Sequence, residues 1–103
     1  MAQHLDASQF TAAQHFDTDI VIIGSGAGGG IAAEQLAQAG FKVLLLEEGA
    51  YYTRDDFVMQ ERWAYPNLYQ EGAARKTRDQ AIGILQGRTV GGSTTVNWTT
   101  SIR

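Results

Sequence analysis

Cysteine is absent from this chain of 103 residues. That excludes a disulfide framework, a thiolate-held zinc or iron–sulfur centre, and a thiol nucleophile. Proline occurs once, at Pro66, and histidine only at His4 and His15. No run approaches the roughly 18 consecutive apolar residues of a membrane span. The opening stretch, MAQHLDASQFTAAQHFDTD, has no positive start followed by an apolar core, so it does not read as a secretory signal. Lys and Arg number 8 against 11 Asp and Glu, a net charge of −3. Such a balance carries no electrostatic footprint for nucleic acid or an anionic membrane surface. These absences lead to the expectation of a cytoplasmic protein without metal, nucleic-acid partner or transmembrane segment.

What is abundant is glycine, at 12 residues where average usage gives roughly 7. Most of the excess falls in two clusters, which implies unusual backbone conformation or close contact there. Hydrophobic content of 44% and charged content of 18% fit a globular protein of at most one small domain. Residues 1–17 read as a polar lead-in, and the patterned chain begins after them.

Ile20-Val21-Ile22-Ile23 is a β-branched run ended by Gly24, which predicts a strand buried on both faces. Gly28 to Ala39, rich in alanine with Ile31 and Leu36, predicts a helix stopped by Gly40. Lys42 to Leu46 predicts a second buried strand. Together they form a βαβ unit, whose crossover is right-handed. Further on, Thr53 is expected to cap a short helix through Asp56. Phe57, Val58, Glu61, Trp63 and Ala64 follow until Pro66 interferes. Arg75, Lys76 and Arg78 are expected on a solvated face, and Ala81 to Gln86 in a short strand.

The first glycine cluster, GSGAGG, sets Gly24, Gly26 and Gly29 in G-x-G-x-x-G spacing, with Ala33 beyond. Gly24 turns off the strand, Gly26 lets backbone approach a pyrophosphate, and Gly29 lets helix and strand pack closely. The helix start then offers free N–H groups to phosphate. Gly28 and Gly30 weaken that start by roughly 0.5–1 kcal/mol each, which implies further close packing. Glu47 ends the second strand 23 residues after Gly24, the place of an acid that accepts from an adenosine ribose and disfavours a 2′-phosphate. Strand alternation puts its neighbour Glu48 on the opposite side, so only one can serve; the apolar run ends directly before Glu47, which makes Glu47 the better candidate.

The second cluster lies in GRTVGGSTTVNW, Gly87 to Trp98. Gly91 and Gly92 allow backbone N–H groups to face an anion, and Ser93 can cap the turn that follows. Two anion-binding corners suggest one long ligand carrying two phosphates, or a phosphate and a ring system. FAD is such a ligand.

The stretches DIVIIGSGAGGG, VLLLEEG and GRTVGGSTTVNW together resemble the N-terminal part of the glucose–methanol–choline (GMC) family of FAD-dependent oxidoreductases. The wording ILQGRTVGGSTTVNWTTSIR is similar to its bacterial branch concerned with long-chain and fatty alcohols. The resemblance covers roughly residues 19–103. It implies that Gly24, Gly26, Ala27, Gly28 and Gly29 contact the FAD diphosphate and that Glu47 holds the adenosine ribose. It further implies that Arg88, Gly91, Gly92, Ser93 and Asn97 line the pyrophosphate and the flavin side. Some members attach FAD through a histidine near the second motif. Thr94, Thr95 and Asn97 stand there in this chain, so the FAD is expected to be non-covalent.

In the family a C-terminal histidine removes the alcohol's proton, and nothing in this chain corresponds to it, so no catalytic residue is assigned. Two strands and a helix bury too little to offset roughly 1–2 kcal/mol of backbone entropy per residue. The expectation is therefore an α/β fragment. It would be the incomplete N-terminal βαβ portion of a Rossmann-like FAD-binding domain spanning 18–103, whose intact enzyme takes an alcohol and an electron acceptor. The alternatives are an NAD-dependent dehydrogenase, against which the second glycine motif counts, and a truncated nucleotide-binding fragment without catalysis.

Overall fold

The computed structural model of the protein describes residues 3–96. Strand β1 (Ile20–Ile23) and strand β2 (Val43–Leu46) run parallel, with Ile20 opposite Val43 and Ile23 opposite Leu46. Helix α1 (Ala27–Gln38) crosses between them, which makes the βαβ unit that the apolar runs predict. The entry to β2 is tied to that of β1 by reciprocal bonds. The Asp19 N–H donates to the Lys42 carbonyl at 2.9 Å, and the Lys42 N–H to the Asp19 carboxylate at 2.8 Å.

α1 begins one residue earlier than expected, with Gly26 as its N-cap. It ends as the sequence predicts. Phe41 N–H donates to the Leu36 carbonyl and Gly40 N–H to the Ala37 carbonyl, both at 3.1 Å. Gly40 has φ +96°, so this is a Schellman stop that needs its glycine. The half-buried positions Gly29, Ala32, Ala33 and Leu36 recur at helical spacing and mark the face laid on the sheet.

Burial of the strands on both faces does not hold. Ile20 and Ile22 are half-buried, whereas Val21 is 52% and Ile23 86% exposed. α1 packs on the Ile22 side, where a Cβ on Gly29 would lie 3.5 Å from Ile22 Cγ2, whereas on the other face Leu44 is half-buried but Val21 and Ile23 stay open. The chain exposes 8547 Å², against roughly 5,700 Å² for a folded monomer of its mass, and residues 3–17, all exposed, contribute to the excess.

After β2 the backbone turns into a 3₁₀ turn, Arg54–Asp56, closed by a reciprocal capping box between Thr53 and Asp56. Helix α2 (Glu61–Leu68) follows. Trp63 on α2 meets Tyr52 and Phe57 edge-on, at centroid separations of 5.3 and 6.2 Å. Pro66 does not end α2, which continues through Leu68. The Asn67 side-chain amide donates to the Trp63 carbonyl at 2.7 Å within the disturbed turn, and buried Leu68 anchors the end. Packing here overrides local propensity.

Two further expectations are corrected. Arg75 is half-buried, not solvated: it reaches Glu71 at 3.1 Å and Gln86 at 2.8 Å. Lys76 and Arg78 are exposed as expected. Ala81 to Gln86 forms no strand. Its neighbourhood makes only the isolated pairings Lys76 with Gly83 and Tyr69 with Gly87, and a strand needs a continuous ladder on one partner.

Candidate functional site

Parallel strands aim their carboxyl ends at one edge, where open α/β sheets bind ligands. At that edge lies a cleft of about 450 Å³. Its walls come from three sources. The first is the end of β1 with the first glycine loop, through Ile23, Gly24 and Gly26. The second is the end of β2, through Leu46, Glu47 and Glu48. The third is the second glycine motif, through Gln86, Gly87, Gly92 and Ser93.

The two glycine motifs meet backbone to backbone. A Cβ on Gly92 would stand 2.8 Å from the Gly26 Cα. Gly91 and Gly92 have φ +93° and +60° and lead into a 3₁₀ turn, Gly92–Thr94. The turn is pinned beneath by Thr89, the most buried side chain described, whose hydroxyl donates to the Ala50 carbonyl at 2.9 Å.

The glycines divide by what their missing Cβ makes room for. At Gly29 a Cβ would strike the Gly24 carbonyl, and at Gly49 the backbone of Arg88 and Thr89. At Gly87 it would meet the Ser93 nitrogen at 2.8 Å. Those three are explained by the chain itself. Gly24, whose φ of +98° already requires glycine, and Gly28 have nothing within 4 Å, and Gly26 only the Gly92 Cα at 4.0 Å. No side chain caps the first turn of α1 behind them. Open space before uncapped amides is the donor chemistry that a diphosphate takes, so these residues fit such a group.

Glu47 reaches the cleft already engaged. Its Oε2 accepts from the Ser25 N–H at 2.9 Å and the Ser25 hydroxyl at 2.6 Å, and its Oε1 from the Gly49 N–H at 2.7 Å. A carboxylate has about four lone-pair directions, and with the Glu48 amide also interacting with it Glu47 is closely held. Partial burial pushes its pKa up, but the Ser25 hydroxyl and the Gly49 and Ser25 amides outweigh that and hold it below the ordinary 4.5. Ser25 in turn accepts the Gly91 N–H at 3.1 Å.

Of the other expected site residues, Ala27 and Gly91 border a second, shallower hollow behind the first glycine loop. Arg88 turns to Glu48 at 3.4 Å in a half-exposed ion pair. Glu48 also accepts from Gln70, and it borders the cleft together with Glu47. Alternation therefore does not remove it from the site: the chain leaves β2 at Leu46, before the alternation could reach it. Ser93 lies inside its turn, with Gly91 as N-cap. Its hydroxyl is not a cap; it accepts the Gly87 N–H at 3.0 Å. Asn97 lies outside the described residues. The His4 ring lies tilted against Tyr51 at a centroid distance of 5.0 Å, and His15 lies 4.0 Å from Asp17; both histidines are in the lead-in. Among the described residues no cluster of His, Asp and Glu could hold a metal, and no helix is long and apolar enough to cross a membrane.

Sequence reasoning missed Ser25, Gln86 and Gly49 at this site, and set Glu48 aside although it borders the cleft. Ser25 occupies a variable place in G-x-G-x-x-G, and only its partner Glu47 gives it meaning.

Comparison with known proteins agrees with this layout. Residues 65–103 match the GMC oxidoreductase family, and residues 22–52 match the NAD(P)-binding Rossmann-like domain. A long-chain-alcohol oxidase of Arabidopsis thaliana is 47% identical over 85 residues, 82% of this chain and 12% of that protein. An uncharacterized GMC-type oxidoreductase of Mycobacterium tuberculosis is 41% identical over 87 residues, 82% of this chain and 14% of its own. A cholesterol oxidase of Acinetobacter baumannii is 31% identical over 83 residues, 76% of this chain and 15% of its own. The chain thus spans about one eighth of the length of the curated relatives it matches.

Proposed function

We propose that this chain, which corresponds to the N-terminal part of GMC oxidoreductases, is the cofactor-binding end of an FAD-dependent enzyme that oxidises the CH–OH group of alcohols. The observation that carries the reading is the cleft at the strand ends built jointly by both glycine motifs, with Gly92 against Gly26. A ligand that lies along it meets the first loop and the second turn at once, as a dinucleotide with a bulky ring end would. Residues 18–103 then form the first part of an FAD-binding domain, preceded by the lead-in at 1–17.

In this reading Gly24, Gly26, Ala27, Gly28 and Gly29 face the diphosphate, and Glu47 holds the adenosine ribose. Gly91, Gly92 and Ser93 border the pyrophosphate, and Arg88 sits beside it through Glu48. Asn97 is assigned to the flavin side on the resemblance alone. Bound flavin supplies the hydride acceptor. The chain's own residues bind and orient it, and with both histidines in the lead-in they leave it non-covalent. Long-chain alcohols are the substrate class, on the strength of relatives named for that activity.

Purified full-length protein should carry flavin that denaturation releases intact, and that flavin should be bleached by a long-chain alcohol. A colourless protein that turns over only with added NAD would overturn the reading in favour of a nicotinamide dehydrogenase.

A further inference from the structure

We infer that Ser25 is a positioning residue that couples the two glycine motifs, so that cofactor affinity depends on a hydroxyl the cofactor need not touch. The inference rests on the FAD reading above. Three bonds carry it. The Ser25 hydroxyl donates to Glu47 Oε2 at 2.6 Å, the Ser25 N–H donates to the same oxygen at 2.9 Å, and the Ser25 oxygen accepts the Gly91 N–H at 3.1 Å.

Each part of this relay is committed by the next. Glu47 is ionised and accepts only, so the Ser25 proton must point to it. With its proton so placed, the Ser25 oxygen presents lone pairs to Gly91. The Gly91 amide is thus held by a hydroxyl polarised by a charged group, a stronger arrangement than a neutral pair. Ser25 borders the hollow behind the first loop, whereas Glu47 and Gly92 border the cleft itself. It therefore braces two cleft walls from behind. Loss of the hydroxyl leaves Glu47 held by the Ser25 and Gly49 amides alone and Gly91, at φ +93°, without its bond to Ser25.

The test uses the full-length protein as wild type, Ser25→Ala, Ser25→Thr, Glu47→Gln and the Ser25→Ala/Glu47→Gln double variant. FAD dissociation constants come from titration of apoprotein, alongside apoprotein melting temperatures and amide hydrogen exchange. Ser25→Ala should weaken FAD by about tenfold, the scale of a lost charge-assisted bond, while apoprotein melting falls by no more than it does in Glu47→Gln. Ser25→Thr, which keeps the hydroxyl, should restore affinity to within about threefold. The double variant should lose less than the product of the single losses, because one relay is broken twice. Wild-type affinity in Ser25→Ala, or losses that multiply, would overturn the coupling. Should Ser25→Ala fail to fold, exchange decides: the Gly91 amide should be protected in wild-type apoprotein and lose protection in Glu47→Gln. An unprotected Gly91 amide in the wild type overturns the relay. Wild-type protein that binds no FAD while Gly91 shows this behaviour overturns the cofactor reading and leaves the relay standing.

Discussion

Gly92 lies so close to Gly26 that a Cβ on Gly92 would stand 2.8 Å from the Gly26 Cα and 3.4 Å from its nitrogen. The double glycine of the second motif is therefore required by the fold before any ligand enters. Gly92 also has φ +60°, where a Cβ is strained. Gly92→Ala in the full-length protein should destabilise the apoprotein by at least about 1 kcal/mol, read from denaturant unfolding. An apoprotein of unchanged stability would mean that the two motifs do not touch.

Gly26 answers the opposite question. Its φ of −64° suits any residue, and a Cβ there meets only the Gly92 Cα at an easy 4.0 Å. Gly26→Ala should shift apoprotein stability by under about 1 kcal/mol, the scale of an N-cap change. Flavin occupancy should collapse, since the methyl group enters the space before the uncapped amides. Gly28→Ala should go further and stabilise the apoprotein by roughly 0.5–1 kcal/mol through helix propensity, again at the expense of flavin. Full occupancy in both variants would remove the diphosphate from the first loop.

These contrasts show what was legible in the sequence. The βαβ unit could be read because periodicity, Gly24 and Gly40 all act within a few residues of themselves. So could the helix stop, since a Schellman turn is local. The Gly26–Gly92 contact could not, because it depends on where a loop returns after a long excursion. Pro66 misled for the same reason: the end of α2 is held by the burial of its last residue, Leu68, against the rest of the chain. The partners of Glu47 were hidden too. Its position at the strand end is visible, but that it meets Ser25 follows only once β1 and β2 are in register.

The engagement of Glu47 fixes a pH dependence. Its pKa is lowered in the fold, so its contribution to stability is fully present above the ordinary value of 4.5 and is lost as pH falls through the lower folded value. Asp6 and Asp79 are also lowered, chiefly by the Ser8 and Thr77 hydroxyls, but they are common to both proteins in the comparison. Apoprotein unfolding midpoints for wild type and Glu47→Gln should therefore converge on acidification below pH 4.5, with wild type the more stable above it. Parallel curves across that range would show that the carboxylate is not held by Ser25 and Gly49.

The uncovered sheet face sets the behaviour of residues 1–103 expressed by themselves. Ile23 at 86% exposure, Val21 at 52% and Leu46 at 47% form one apolar surface, and the two-stranded sheet has both edges unpaired among the described residues. Exposed β-branched surface beside open edges favours association of chains. The polypeptide should therefore elute as large, polydisperse species, bind a hydrophobic dye, and show no alcohol oxidation with any acceptor. Replacing Ile23 by Lys, at the most exposed of these positions, should shift the elution toward monomer without harming β1, whose buried side is Ile20 and Ile22. A monomeric wild-type polypeptide with a cooperative thermal transition would show that this face is covered by the chain itself, and the Ile23→Lys variant should then be the less stable of the two.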